Sequence, residues 1–217
     1  MGVNILSIGT AVPSNKIDQE EVFEFMSNAH GLSGSAKQRL KALYRVSAIK
    51  ERYSVVPDYG TLEKKQWKLY PPNDALEPFP DTKARNSIYR KEALPLSLQA
   101  IEDCMGDREK AQITHLITVS CTGLYAPGID IDIVNALGLN PQTERTCINF
   151  MGCYAAITGL KVANQICKAS PEATVLLVCT ELCTIHFQKE KDEDNQIANA
   201  LFGDGAAAVL IKSEGQT

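Results

Sequence analysis

The sequence predicts an α/β protein, and three observations support this fold class. Short apolar runs alternate with segments of helical periodicity along most of the chain. Glycine, proline or polar residues bound these runs, as they bound strands. The runs lack a regular apolar and polar alternation, which is typical of strands in a largely buried sheet. Alternating strands and helices therefore indicate a layered α/β architecture.

The first part of the chain predicts one strand and two helices. Residues 3–12 form an apolar run that ends at Pro13. An amphipathic pattern follows from Asp18 to Ala29, and the Asp18 side chain suits the N-cap position. A second helical pattern covers residues 35–46. Residues 52–82 are rich in proline, tyrosine and charge without a sustained period, so we interpret them as a long connecting segment.

The remaining sequence restores the alternation of helix and strand. The predicted elements are a helix at 83–105, a strand at 114–121, a helix at 129–139, a buried strand from Thr146 to the turn before Cys153, a helix at 154–169, a strand at 174–180, a polar loop at 188–196 and a strand at 206–211.

The segment Thr146–Leu160 predicts an exposed nucleophile. An apolar strand passes through Gly152 into Cys153, and a helix rich in small residues and buried on most sides follows. We expect Cys153 in the first turn of that helix, where unpaired N–H groups favour the thiolate. The local sequence also fits an ordinary small buried cysteine.

Composition limits the functional classes. The chain has 217 residues, 44% of them apolar, and a net charge of −4, so it belongs to the ordinary globular class and gives no reason to expect nucleic acid or anionic membrane as a partner. It contains no apolar run of membrane-spanning length and no signal-peptide pattern, so we expect a cytoplasmic protein. Seven scattered cysteines do not suggest a disulfide framework, and we interpret them as reduced thiols.

Three blocks carry a resemblance to a known family. They are Cys121–Asp130, Gly152–Ala156 and Ala200–Ala208, with Val178–Glu181 between the second and the third. With these blocks the chain resembles the N-terminal half of a type III polyketide synthase, in the chalcone synthase-like branch of the thiolase fold. The resemblance implies the layered αβαβα architecture, with residues 1–217 as the N-terminal half and the C-terminal half absent from this chain.

The resemblance also implies a reaction. Cys153 would attack an acyl-CoA thioester and hold the acyl group, and malonyl-CoA would then extend it by decarboxylative condensation in a homodimeric enzyme. No metal or organic cofactor is expected. In the family, a histidine and an asparagine of the C-terminal half donate hydrogen bonds to the developing charge. This chain alone is therefore expected to lack the groups needed for elongation.

Several positions match functional positions of the family. Phe202 matches an aromatic gatekeeper between the CoA tunnel and the reaction cavity, although a phenylalanine in a protein core would explain it equally well. Cys121 and Thr122 match residues that line the cavity. Glu181 matches an acidic residue that organises the site around the nucleophile.

Other positions depart from the family pattern. Cys183 and His186 replace small hydroxyl residues of the elongation cavity, and the larger imidazole is expected to shrink or polarise that cavity. Ala126 stands where relatives often have a larger residue that reaches across the dimer. We therefore expect products that are shorter, or folded differently, than those of plant relatives.

A basic helix face is a candidate CoA-binding site. Lys37, Lys41 and Arg45 share one face of the second helix and suit a nucleotide phosphate, although a solvated surface would explain them as well. The family uses basic side chains in this helix, but two of its expected positions are Ala42 and Val46 in this sequence.

Other functional classes remain open on the sequence alone. A ketoacyl-ACP synthase III-like enzyme would share the fold and the nucleophile but would use a carrier protein. A zinc-binding module would use Cys179, Cys183 and His186, whose spacing is loose for zinc. A non-catalytic assembly role is the third alternative. We expect the other two histidines, His30 and His115, to be structural or solvated.

Overall fold

A computed structural model describes residues 2–108 and 110–213 and contains six helices and seven strands within them. The strands are β1 (Val3–Ala11), β2 (Asn15–Asp18), β3 (Glu51–Ser54), β4 (His115–Ser120), β5 (Glu144–Asn149), β6 (Thr174–Leu182) and β7 (Asp204–Ser213). The helices are α1 (Gln19–Ala29), α2 (Gly34–Val46), α3 (Thr82–Met105), α4 (Ile129–Leu137), α5 (Ala155–Ala169) and α6 (Glu193–Leu201). The predicted α/β class is confirmed.

The chain divides into two compact units. Among the described residues, the sheet unit comprises residues 2–11, 89–108, 110–181 and 205–213. The hairpin unit comprises Val12–Ile88 and Leu182–Asp204.

A five-stranded mixed sheet organises the sheet unit, with the strand order β1-β7-β6-β4-β5. β4 is parallel to both β5 and β6, whereas β1 is antiparallel to β7. Small residues of α5, among them Gly159 and Ala163, are buried in one apolar core with Val119 and Leu177. A Cβ atom on Gly159 would lie 2.7 Å from a methyl group of Leu177, so the close approach of helix and sheet requires glycine there.

The burial predicted for two of these elements is wrong. The strand predicted from Thr146 to the turn before Cys153 was expected to be buried. Residues 146, 147, 150 and 151 are instead exposed, because β5 lies at an edge of the sheet, where it pairs with β4. α5 was predicted to be buried on most sides, but one face is buried and Ile157 remains 45% exposed.

The hairpin unit contains the two-stranded antiparallel sheet of β2 and β3 together with α1, α2 and α6. Asp18 is the N-cap of α1, as predicted, and forms a capping box with Glu21. The connecting segment predicted at residues 52–82 is wrong at its start, because residues 52–54 belong to β3 and pair with β2. Residues 55–81 are irregular apart from short 3₁₀ turns, and the fully buried Asp58 fixes part of this segment. That carboxylate accepts hydrogen bonds from the backbone N–H groups of residues 68–70 at 2.8–2.9 Å.

α6 corrects the predicted polar loop at residues 188–196. Asp192 is the N-cap of this helix, and its side chain accepts a hydrogen bond from the backbone N–H of Asn195. The helix was not predicted, because its first turn is polar and shows no apolar periodicity.

Candidate active site

Cys153 lies in a sharp connection between β5 and α5. After Asn149 the chain turns through Phe150, with a φ of +58°, and Gly152, with a φ of +68°. A short 3₁₀ turn, Gly152–Tyr154, then leads into α5. Cys153 was expected in the first turn of the helix, and the structure places it in this 3₁₀ turn, two residues before α5 begins. Its side chain is exposed.

The connection between β5 and α5 contains backbone strain at Phe150. The backbone of Phe150 is in the left-handed region, which is unfavourable for a residue that has a Cβ atom. Its ring is also 66% exposed, so burial of the ring does not offset the strain within this unit. Strained strand-to-helix turns occur where a fold presents a reactive side chain.

Cys121 contacts the backbone next to Cys153. The Cys121 Sγ atom accepts a hydrogen bond from the backbone N–H of Gly152 at 3.1 Å. Cys121 itself follows directly after β4, so the ends of two parallel strands meet at this point. The two cysteines thus belong to one end of the sheet.

Glu181 fixes the segment that contains Cys121. Its carboxylate accepts hydrogen bonds from the backbone N–H of Cys121 at 2.8 and 3.0 Å, from the backbone N–H of Thr122 at 3.1 Å and from the Thr122 hydroxyl at 2.7 Å. This half-buried carboxylate therefore links the end of β6 to the turn after β4. The structure thus brings together three predicted site residues, Cys121, Thr122 and Glu181, beside the turn that contains Cys153.

Three predicted site residues lie in the hairpin unit. Cys183 and His186 are half-buried in a 3₁₀ turn, Cys183–His186, that follows β6. Phe202 is the C-cap of α6, and its ring is 48% exposed.

The predicted CoA-binding residues differ in their surroundings. Lys37 pairs with Glu24 at 2.8 Å, and Lys41 pairs with Glu20 at 2.5 Å, so both ammonium groups already contact carboxylates of α1. Arg45 is exposed on α2.

The other histidines lie in structural positions. His30 is buried against Phe187 at the end of α1, and burial lowers its pKa. His115 begins β4 and lies near Glu144. Within residues 2–108 and 110–213, no group of three His, Cys, Asp or Glu side chains is placed to hold a metal ion.

Sequence reasoning missed the polar residues that hold the backbone around Phe202. Asp204, 6% exposed, accepts hydrogen bonds from the backbone N–H of Val55 at 2.7 Å, from the backbone N–H of Thr184 at 2.8 Å and from the Thr184 hydroxyl at 2.7 Å. Burial raises the pKa of Asp204 to about 6, while these donors and Arg52 oppose the rise. The only signal in the sequence is the acidic residue between Gly203 and Gly205.

The described part of the chain has no helix with the length and apolar character of a membrane span.

Comparison with known proteins places these features in a family. The family model described as "Chalcone and stilbene synthases, N-terminal domain" matches residues 2–215. A curated relative, type III polyketide synthase C of Arabidopsis thaliana, is 33% identical over 97% of this chain and 54% of its own length. The chain spans about half the length of such relatives.

Solved structures agree with this assignment. PKS-I from the brown alga Ectocarpus siliculosus is 31% identical with a TM-score of 0.86, over 99% of this chain and 58% of that one. The C-terminal type III polyketide synthase domain of 'Steely1', a type I/III hybrid from Dictyostelium, is 28% identical with a TM-score of 0.84, over 100% of this chain and 58% of that one. The thiolase-like fold is thereby confirmed, and the chain belongs to the chalcone and stilbene synthase family, whose N-terminal domain it matches.

Proposed function

We propose that this chain is the nucleophile-bearing half of a type III polyketide synthase, an acyltransferase that condenses an acyl-CoA starter with malonyl-CoA. The observation that supports this most is the exposed Cys153 in a strained strand-to-helix turn of a chain that belongs to this family. Family membership also favours this reading over the ketoacyl-ACP synthase III-like alternative.

The proposed reaction uses Cys153 as a temporary acyl carrier. Its sulfur attacks the carbonyl carbon of the starter thioester, a new carbon–sulfur bond forms, and CoA leaves as its thiolate. Malonyl-CoA then loses CO₂, and the electron pair of the broken carbon–carbon bond becomes an enolate. The enolate carbon attacks the acyl carbon, and the Cys153 sulfur departs with its electron pair. These steps require neither a metal nor an organic cofactor.

The neighbours of Cys153 have proposed supporting roles. The start of α5 lies just beyond the nucleophile, and unpaired N–H groups at a helix start favour nearby negative charge. We assign Glu181 to the positioning of Cys121 and Thr122, since its carboxylate is bonded to both. The further donors that elongation requires are proposed to lie in a C-terminal half outside this chain.

Phe202, Cys183 and His186 are proposed to shape product length. Phe202 would act as the aromatic gatekeeper and exclude water from the enolate. An imidazole at position 186 would limit the space for a growing chain. The starter, the number of extensions and the mode of cyclisation follow from that shape.

The proposed partners are acyl-CoA and malonyl-CoA, with the exposed Arg45 as the proposed CoA-contacting side chain of α2. We also propose a homodimer. Phe150, Met151, Tyr154 and Ile157 are each 45–66% exposed in and beside the turn after the edge strand β5, and a second copy of the chain would cover them. A monomeric sedimentation coefficient for the complete enzyme would contradict the dimer.

We propose a cytoplasmic location for the enzyme. The described cysteines form no disulfides, which suits a cytoplasmic enzyme.

The substitution Cys153→Ala in the complete enzyme tests the proposed chemistry. Intact-protein mass spectrometry after incubation with straight-chain and aromatic acyl-CoA esters should show one added acyl group on the unaltered enzyme and none on the variant. Release of extended products from malonyl-CoA should also be abolished. The matched control is Cys147→Ala, which removes another exposed thiol, on β5, and should load normally. Acyl loading that persists in Cys153→Ala would sink the proposal.

A further inference from the structure

Buried side chains cap the C-terminal end of α6. The last carbonyl groups of a helix have no partners within the helix and need donors from elsewhere. The Arg52 Nη1 atom donates to the carbonyl oxygen of Asn199 at 2.7 Å and to the carbonyl oxygen of Phe202 at 2.8 Å. One guanidinium group of β3 thus fixes both the last turn of α6 and the residue at which the chain leaves it.

Two more side chains of the hairpin unit support the same helix end. The Gln19 amide donates to the carbonyl oxygen of Ala200 at 2.8 Å, and the Tyr44 hydroxyl donates to that of Asn199 at 3.3 Å. The Arg52 guanidinium also lies over the Tyr44 ring, 5.9 Å from its centre. Side chains from the start of α1, from α2 and from β3 therefore donate to the carbonyl groups of Asn199, Ala200 and Phe202.

Arg52 is in an unusual environment for a cation. It is 8% exposed, and burial lowers its pKa, although the nearby Tyr44 opposes that change. A guanidinium remains charged even so. A desolvated cation at the negative end of a helix dipole makes strong hydrogen bonds to the terminal carbonyl groups.

The Phe202 backbone is held while its ring is not. The ring is 48% exposed, so packing does not fix its position within the hairpin unit. The backbone has one anchor at its own carbonyl group, bonded to Arg52, and another two residues later at the buried carboxylate of Asp204. These backbone anchors thus fix the direction in which the Cα–Cβ bond of Phe202 leaves the chain.

We propose that Arg52 is a positioning residue for the Phe202 gate, since its guanidinium caps α6 and fixes the point at which Phe202 leaves the helix. This inference rests on the proposed function, in which Phe202 separates CoA from the growing chain. Arg52 acts through the backbone of Phe202 and does not touch substrate.

Hydrogen exchange of the 217-residue chain tests the structural half of the inference. Arg52→Gln should speed exchange of the Ala200–Phe202 amides at least tenfold, with little change in α1 and α2, and Arg52→Lys should restore part of the protection. The control is Arg108→Gln, which removes an exposed arginine with a 3.4 Å contact to the Met105 carbonyl group. Unchanged exchange at residues 200–202, or faster exchange spread evenly over α1 and α2, would overturn the inference.

Product analysis of the complete enzyme tests the functional half. Arg52→Gln should leave acyl loading on Cys153 unchanged, lower kcat for extension at least fivefold and raise the share of unextended acid released by hydrolysis. Phe202→Ala should produce the same shift, and Arg52→Lys should lie between Arg52→Gln and the unaltered enzyme. If Phe202→Ala shifts the products and Arg52→Gln does not, the positioning role of Arg52 is wrong. If Phe202→Ala itself shifts nothing, the gate fails, and the proposed function of Phe202 fails with it.

Discussion

The turn around Cys153 and the segment around Phe202 are held in opposite ways. Around Cys153 the shape comes from the backbone, through positive φ angles at Phe150 and Gly152 and one amide contact to the Cys121 sulfur. Around Phe202 the shape comes from side chains that are distant in the sequence. Arg52 donates to the carbonyl oxygen of Phe202, and the buried carboxylate of Asp204, two residues later, accepts from the backbone N–H of Thr184.

This contrast indicates which substitutions each region tolerates. A site shaped by backbone dihedral angles is sensitive to substitutions within the turn itself, because few other contacts hold it. A site shaped by buried polar side chains is sensitive to substitutions far away in the sequence, because a donor or acceptor left without its partner costs stability. The two regions should therefore respond to different variants.

The largest expected effect is the pH dependence of stability that Asp204 causes in the segment around Phe202. Burial raises the pKa of Asp204 to about 6 from its ordinary 3.8, so the folded state retains a proton that the unfolded state loses between about pH 4 and pH 6. Stability therefore falls as pH rises through this window, by up to about 3 kcal/mol. Asp204→Asn has no such proton to lose. Urea unfolding of both proteins from pH 4 to pH 7 should show the stability of the unaltered chain falling relative to the variant.

The direction in which stability changes with pH shows which interaction dominates the pKa of Asp204. Arg52 and the donors of Val55 and Thr184 favour the carboxylate, and the desolvation of the carboxylate opposes them. If the stability of the unaltered chain relative to Asp204→Asn rises with pH, then Arg52 and the donors outweigh desolvation and lower the pKa of Asp204. Asp192→Asn is a control of opposite sign, because hydrogen bonds from Asn195 lower the pKa of Asp192, so that its contribution is lost as pH falls.

The backbone turn should respond to the substitution Gly152→Ala. Gly152 has a φ of +68° with open space where a Cβ atom would lie, so the cost of alanine is backbone strain alone, about 1–2 kcal/mol. If the turn relaxes, Cys153 moves with it, and we expect iodoacetamide to label Cys153 about three- to tenfold more slowly. Peptide mass spectrometry over a time course measures the rate, with Cys147 as the internal reference.

Gly138→Ala is a matched control for this turn. Gly138 has nearly the same φ, +64°, and equally open space, but it ends α4. Both substitutions should lower stability by a similar amount, and Gly152→Ala alone should change the labelling of Cys153. Equal labelling rates in the two variants would mean that the Gly152 conformation does not position the thiol.

The same contrast explains what the sequence could predict. The turn at Cys153 was predictable, because a strand, a glycine and a small-residue helix are adjacent in the chain and local pattern detects them. The resemblance supplied Phe202 as a site residue but not its support. Arg52 and Gln19 lie some 150 residues or more before the carbonyl groups that they bond, and no local pattern marks such a contact.

Exposure was the other property that local pattern could not supply. The apolar run that begins at Thr146 indicated a buried strand, yet the place of β5 in the sheet depends on strand order, which long-range packing decides. α6 was missed for a related reason, since its polar first turn conceals the buried Ala200 near its end.

The smallest expected effect concerns α2, where Arg45 and Lys37 are compared for CoA binding. Arg45→Ala in the complete enzyme should raise KM for the acyl-CoA starter about two- to fivefold with kcat unchanged, because one exposed contact to a phosphate contributes about 0.2–1 kcal/mol. Lys37→Ala should have a smaller effect, since its ammonium is already paired with Glu24 and must leave that carboxylate to reach a ligand. The Arg45 effect should shrink between 50 mM and 500 mM salt as the phosphate contact is screened. An unchanged KM at low salt would remove Arg45 from the CoA site, and a larger effect at Lys37 would place the phosphate on the α1 side of the helix.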